Sequence, residues 1–336
     1  MPVNGVVDVH GHMVPPELFE RVRSGVVPGV SVAGKDGAEV LVAGADRLGP
    51  FSKDMTDLAT RLQWMDDHGI AEQWVSPWLD LFTWHAFSGE EGRLWSAAVN
   101  SSLRDITERS GGRLSAVPVP RLRADPGAEG FLGGIEGTPT AVLVNTQPRD
   151  VGSLADPSLL GFWAYLAETG VPAVLHPPVN GPSCAFTAPI LQNVSGRVVD
   201  TSAAVLDMMV SGLFERLPDL RVLVVHGGGF LPYQAHRLDG LARAGLLEKT
   251  AMTEAPSRAL RRLHFDTVAL DALSIELLVR RVGADRVLLG SDAPFPIGDH
   301  DPVATLHSTG LDDDAKQAIC CANARALRSN LSGGGG

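Results

Sequence analysis

Short apolar runs rich in β-branched residues alternate along the chain with longer stretches whose apolar positions repeat at helical spacing. The first run, Val6, Val7 and Val9, closes on Asp8-Val-His-Gly-His12. A short helix, Glu17 to Arg23, is opened by Pro15-Pro16, and Gly25 to Gly49 reads as an insertion of short extended pieces carrying Arg47. Asp54 to His68 is helical, with Asp54 or Thr56 as cap and Gly69 as stop, and Ile70 to Ser76 is a strand. After an aromatic loop, Pro77 to Phe87, the rhythm predicts helix Glu90 to Arg109, strand Arg113 to Val119, helical pieces from Pro126 to Gly134 and strand Thr140 to Asn145. It continues with helix Pro157 to Glu168, strand Val171 to His176, helix Val198 to Leu217, strand Arg221 to His226 and helix Leu231 to Leu247. Strand Leu263 to Thr267, helix Leu270 to Val282, strand Arg286 to Ser291 and helix Asp312 to Arg328 complete it.

Counted from Val6 this makes eight strands, each followed by helix, which argues an α/β fold with a parallel sheet closed into a (β/α)8 TIM-type barrel. A doubly wound open sheet is the structural alternative. The expected organisation is one domain over 1–331, with a small insertion after strand 1 at about 25–50 and a flexible tail at 332–336.

The 336 residues are 44% hydrophobic and 20% charged, enough for a large core. A net charge of -11, with no Lys/Arg cluster, argues against a nucleic-acid or anionic-membrane surface. The longest charge-free stretch, Thr169 to Ser195, is broken by prolines and cannot be a membrane helix. Cys184, Cys320 and Cys321 form no disulfide or metal framework; with no secretory signal, that suits a reducing, cytoplasmic setting.

The unusual polar residues fall where strands end: His10 and His12 after strand 1, His176 after strand 5, His226 after strand 6 and Asp292 after strand 8. In a strand, Asp8, His10 and His12 project to one side, so two imidazoles can grip one ion. Barrel strand ends converge on one face, where active sites are built. His226-Gly-Gly-Gly229 suggests a lipase oxyanion motif or a phosphate loop, but the chain has no GxSxG elbow and no GxxxxGK[ST] or GxGxxG pattern. The simpler account is that glycines let the backbone crowd close to a ligand beside His226. Lys35, Lys53, Lys249 and Lys316 lie away from strand ends, so no lysine can bridge two ions there and one metal is the consistent reading.

Taken with these residues, the chain resembles the aminocarboxymuconate semialdehyde decarboxylase family of the amidohydrolase superfamily. The resemblance rests on Asp8 to His12, the Pro172 to Pro177 strand, Gly212 to Leu220, His226 to Gly229 with Arg237, Phe265 to Thr267, and Gly290 to Pro296. It departs at Ile190 and at Ala293, where an aromatic residue and a tyrosine occur in some relatives. It implies one divalent metal, Zn or Mn, on His10, His12, His176 and Asp292, with no organic cofactor. It also implies His226 or Asp292 as proton donor, and a homodimer in which Arg237 enters the neighbour's site with Arg47 to clamp a small carboxylic acid substrate. Phe295 and Trp84 are the further expected substrate contacts, although the aromatic loop holding Trp84 could equally pack on a helix. The implied activity is non-oxidative decarboxylation of an aromatic or muconate-type acid, the alternative being a hydrolase or hydratase of the same fold. Losing CO2 from an unsaturated carbon requires that carbon to become tetrahedral first, by protonation or hydration.

Overall fold

The first and last strands of the barrel meet, and that seam closes the fold. In the computed structural model, which describes residues 5–34, 38–122, 135, 137–148, 151–178, 186 and 188–328, the strands are β1 (Val6–Met13), β2 (Val30–Ala33), β3 (Val40–Ala43), β4 (Asp46–Leu48), β5 (Ile70–Pro77) and β6 (Leu114–Ala116). They continue as β7 (Val142–Asn145), β8 (Ala173–His176), β9 (Val222–Val224), β10 (His264–Asp266) and β11 (Val287–Leu288). Parallel ladders run β1-β5-β6 and β7-β8-β9-β10-β11. Leu143 N–H donates to Pro118 O at 2.9 Å across one seam. Across the other, Val9 N–H donates to Leu289 O (2.9 Å), His12 N–H to Ala293 O (2.8 Å) and Asp292 N–H to His10 O (2.8 Å). The result is a closed (β/α)8 barrel of β1 and β5–β11, with β2-β3-β4 as a small antiparallel sheet inserted after β1.

Side-chain alternation sorts the strand residues. Leu143, Val174 and Leu223 belong to one apolar cluster, and their neighbours Val142, Val144, Ala173, Leu175, Val222 and Val224 to another. The second cluster contains the helix residues Phe162, Trp163, Val205 and Met208, so it is the layer between barrel and helices, and the first group points inward.

Several expected helices are broken, two of them for a local reason. The Asp54–His68 helix divides at Asp57, whose backbone is extended (ψ 117°) and whose carboxylate caps Thr60 N–H at 3.2 Å. Gly212, at φ 71°, ends the helix Arg197–Val210, so the expected run to Leu217 is two helices. The expected Leu231–Leu247 helix is three short pieces, Leu231–Leu238, Gly240–Arg243 and Leu247–Lys249. A widened turn, Ala318–Ala322, interrupts the last helix, and Pro302–His307, capped by Asp301, is a helix the periodicity did not predict. The Pro126–Gly134 pieces, Cys184 and the 332–336 tail lie outside the described residues. No described helix is long and apolar enough to cross a membrane.

Candidate active site

His10 and His12 come from β1, His176 is the last residue of β8, and His226 and Asp292 follow β9 and β11. His176 has the inward parity of Val174. By alternation His226 shares the outward parity of Val222 and Val224 and would face the helices; its backbone is left-handed (φ 56°), which turns the ring back to the barrel mouth. Asp292 is likewise at φ 60°. All five are brought together: the ring centroids of His10, His12, His176 and His226 lie 4.8 to 5.3 Å apart in the five pairs that make contact.

The outward-facing ring nitrogens decide what this cluster can hold. His10 Nδ1 lies 2.7 Å from Asp266 Oδ2, and His176 Nδ1 lies 2.8 Å from Pro177 O. Both partners are acceptors, so both Nδ1 atoms carry the proton. His12 Nδ1 faces Ser76 Oγ at 2.9 Å, and because that hydroxyl donates to Gly11 O (3.4 Å) it accepts from His12 Nδ1–H. The three Nε2 atoms therefore point lone pairs at a common centre, opposite Asp292 Oδ1. His10 Nε2, His12 Nε2 and Asp292 Oδ1 form a triangle with edges of 3.1, 3.2 and 3.3 Å. A tetrahedral ion with bonds of about 2.0–2.1 Å spaces its ligand atoms about 3.3 Å apart. His176 Nε2 and Asp292 Oδ1 are buried without a hydrogen-bond partner. Ligand atoms converging on one point at this spacing fit a bound cation. Among the described residues, His10, His176, His226 and Asp292 also offer ligand atoms all within 4.8 Å of one another, so His226 is near enough to ligate.

The electrostatics agree with that reading. Burial lowers His12 to about 4 and takes His176 well below its ordinary value, so both keep their lone pairs. At Asp292 burial acts upward, but His10, His12 and His226 outweigh it and hold the carboxyl well below its usual range. Burial acts downward on His10, yet Asp292, Asp266 and Asp8 together raise it. The raised His10 reports an excess of carboxylate, which a central cation would neutralise.

Around these groups lies a supporting layer that sequence reasoning largely missed. Asp266 accepts His10 Nδ1–H through Oδ2 and Gly227 N–H (2.8 Å) and Val268 N–H (3.1 Å) through Oδ1, tying His10 to the His226 turn. Its place at the end of β10 was the available signal. Asp8 does not join the cluster, because its oxygens already accept from Gln73 Nε2, Ser291 Oγ, Ser291 N and His10 N. The glycines after His226 have reasons within the protein. A Cβ on Gly228 would sit 2.6 Å from the Phe265 ring, and one on Gly229 2.4 Å from Val198 O and Ser202 Oγ. Neighbouring protein atoms and positive φ both require glycine there.

The expected substrate residues divide. The Phe295 ring stands 5.2 Å from His12 and 6.2 Å from Trp78. Trp84 packs instead against Trp95, His85 and Phe87. Arg47 and Arg237 are exposed, and among the described residues no hydrogen bond or ion pair holds either side chain; Asp239 is engaged by His236 and Ser257. Ile190 is 61% exposed and Ala293 is buried.

The sequence profile of the family described as Amidohydrolase matches residues 7–327. The chain belongs to the amidohydrolase family. Among curated relatives, the 2-amino-3-carboxymuconate-6-semialdehyde decarboxylase of Dictyostelium discoideum is 28% identical over 157 residues, 46% of this chain and 44% of that protein. The 6-methylsalicylic acid decarboxylase of Penicillium expansum is 26% identical over 179 residues, 51% of this chain and 54% of that protein. This amidohydrolase thus spans about half the length of the curated relatives it matches. In fold it is similar to a 2,6-dihydroxybenzoate decarboxylase complexed with 2,6-dihydroxybenzoate (TM-score 0.79, 23% identity, 98% and 99% of the two chains). It is also similar to a manganese-bound 5-carboxyvanillate decarboxylase of Novosphingobium aromaticivorans (TM-score 0.76, 19% identity, 97% of each chain).

Replacing Asp266 by Asn keeps the shape but removes the charge that orients His10. Metal affinity, measured by chelator competition, should fall by about 10- to 100-fold with the fold intact. Unchanged affinity would mean that β1 alone orients the ring.

Proposed function

We propose that this protein is a metal-dependent, non-oxidative decarboxylase of an aromatic or muconate-type carboxylic acid. The observation that carries the reading is the convergence of ligand atoms from His10, His12, His176 and Asp292 beside His226, in an amidohydrolase barrel whose curated relatives are named as decarboxylases. Those four residues hold one divalent ion, zinc by preference for three imidazoles and a carboxylate, manganese being the second choice. When bound, the ion supplies a Lewis acid that fixes and polarises an oxygen of the substrate.

His226 is the acid. Among the four clustered histidines its Nδ1 alone lacks a partner, and its side chain is the most open, 11% exposed. A ring not pinned to one tautomer suits proton transfer better than ligation. It delivers a proton to the carbon bearing the carboxylate, which becomes tetrahedral; the C–C bond then breaks, its electron pair returns to the unsaturated system, and CO2 leaves. Asp292 Oδ2, 3.6 Å from His226 Nε2, steadies the charged imidazole before transfer. Phe295 borders the substrate. The barrel of 1–331 acts as one domain and works as a homodimer in the cytoplasm. The free, buried Cys320 and Cys321 support a reducing setting, and exposed, unpaired Arg47 and Arg237 are available to the partner subunit.

Purified protein should carry about one equivalent of metal per chain, and the loaded enzyme should release CO2 from a member of a panel containing 2,6-dihydroxybenzoate, 6-methylsalicylate and 5-carboxyvanillate, with loss on chelation. Hydration or hydrolysis without CO2 would move it to the hydrolase reading.

His226→Ala should keep its metal and lose on the order of 10²-fold or more in turnover. Loss of metal in that variant would make His226 a ligand instead.

Mixing inactive Arg237→Ala with inactive His226→Ala subunits should regenerate activity in hybrid dimers, each with one intact site. A fully active monomer would refute site sharing.

A further inference from the structure

The acids and imidazoles of the centre leave open which group meets the anion of an acid substrate. Arg197, the first residue of helix Arg197–Val210, is 6% exposed, and its Nε is buried with no hydrogen-bond partner. Its position is set by the loop that aims His226. Gly229 packs directly against Val198 O and Ser202 Oγ, and Phe230 N–H donates to Ser202 Oγ at 3.0 Å, so the first turns of this helix are locked to the His226 turn. Burial lowers Arg197 from its ordinary value, and the acids that oppose this are Asp292 and Asp80. The guanidinium charge is also felt at His12, where burial is the larger influence. Arg61, the other buried guanidinium near the cluster, is spoken for: it donates to Gln73 Oε1 (2.7 Å), His12 O (2.8 Å) and Asp54 O (3.3 Å).

A buried guanidinium ordinarily has its N–H groups paired, because leaving one unpaired away from water is costly. One that keeps Nε–H unpaired beside a metal-type cluster is arranged for a planar anion, to which Nε and Nη can donate side by side. We propose that Arg197 is the in-chain cation that receives the carboxylate of the substrate. This rests on the reading of the substrate as an acid, and it places the recognition of that acid within a single chain, apart from any contribution of Arg47 or Arg237 from a partner subunit.

The test uses zinc-loaded wild type, Arg197→Met and Arg197→Lys, with salicylate and salicylamide as probes, each titrated calorimetrically. Wild type should prefer the acid over the amide by about 30- to 100-fold. Arg197→Met should reduce that ratio to a few-fold while zinc content is kept, and Arg197→Lys, which retains charge but not the fork, should fall between. The ratio is taken within one variant, so a general loss of stability does not move it. An unchanged ratio in Arg197→Met, an absence of acid preference in wild type, or loss of zinc from Arg197→Met would each overturn the proposal. If Arg197→Met does not fold, Arg197→Lys decides alone: a ratio equal to wild type overturns it, a lowered one supports it. CO2 release is recorded separately, and acid preference without any turnover would sink the decarboxylase reading and leave the role of Arg197 standing.

Discussion

Closure of the barrel between its two ends is the constraint on which the rest depends. Three backbone hydrogen bonds, Val9 to Leu289, His12 to Ala293 and Asp292 to His10, splice the first strand to the loop after the last. They are also the bonds that carry Asp292 to the two β1 histidines, so one ladder does both jobs. Were the sheet open at that edge, His10 and His12 would lie on one border and Asp292 on the other, and no cluster would exist. Ser291 reinforces the seam from inside, its hydroxyl and N–H both donating to Asp8.

The centre built on that seam is costly in isolation. It buries three imidazoles and a carboxylate, leaves His176 Nε2 and Asp292 Oδ1 without partners, and holds His226 and Asp292 in the left-handed backbone region, each a departure of about 1–3 kcal/mol. Such costs persist where surrounding structure over-determines them. Asp266 does much of that work, because one carboxylate binds His10, Gly227 and Val268 together, while Phe265, Val198 and Ser202 leave room in the turn for glycine alone. Metal affinity and proton delivery thus share one scaffold, and substitutions in it should disturb both.

The same scaffold sets the charge balance. Three acids, Asp292, Asp266 and Asp8, act on His10, and Arg61 is consumed in holding β1 to its neighbours. Arg197 is the guanidinium left over. Its helix is the one braced against the His226 turn, which couples recognition of an anion to the placement of the acid that reacts with it.

The strand and helix rhythm, the position of His10, His12, His176 and Asp292 at strand ends, and the family motif are all local patterns, and a sequence displays local patterns directly. Apolar runs alternating with helices argue a parallel sheet covered by helices, and their number, eight, argues its closure, so the barrel was legible before any contact was known. What tertiary structure alone decided are facts of orientation and partnership. Alternation would send His226 toward the helices, and a single left-handed residue, stabilised by Asp266 on β10, reverses it. Trp84 and Arg47 sit in segments of suggestive composition, and only the folded chain shows that the Trp84 ring packs on Trp95 and that Arg47 lies exposed on the inserted sheet. Arg197 carried no motif at all. Its meaning comes from burial and an unpaired N–H, properties that depend on which distant residues the folded chain sets around it.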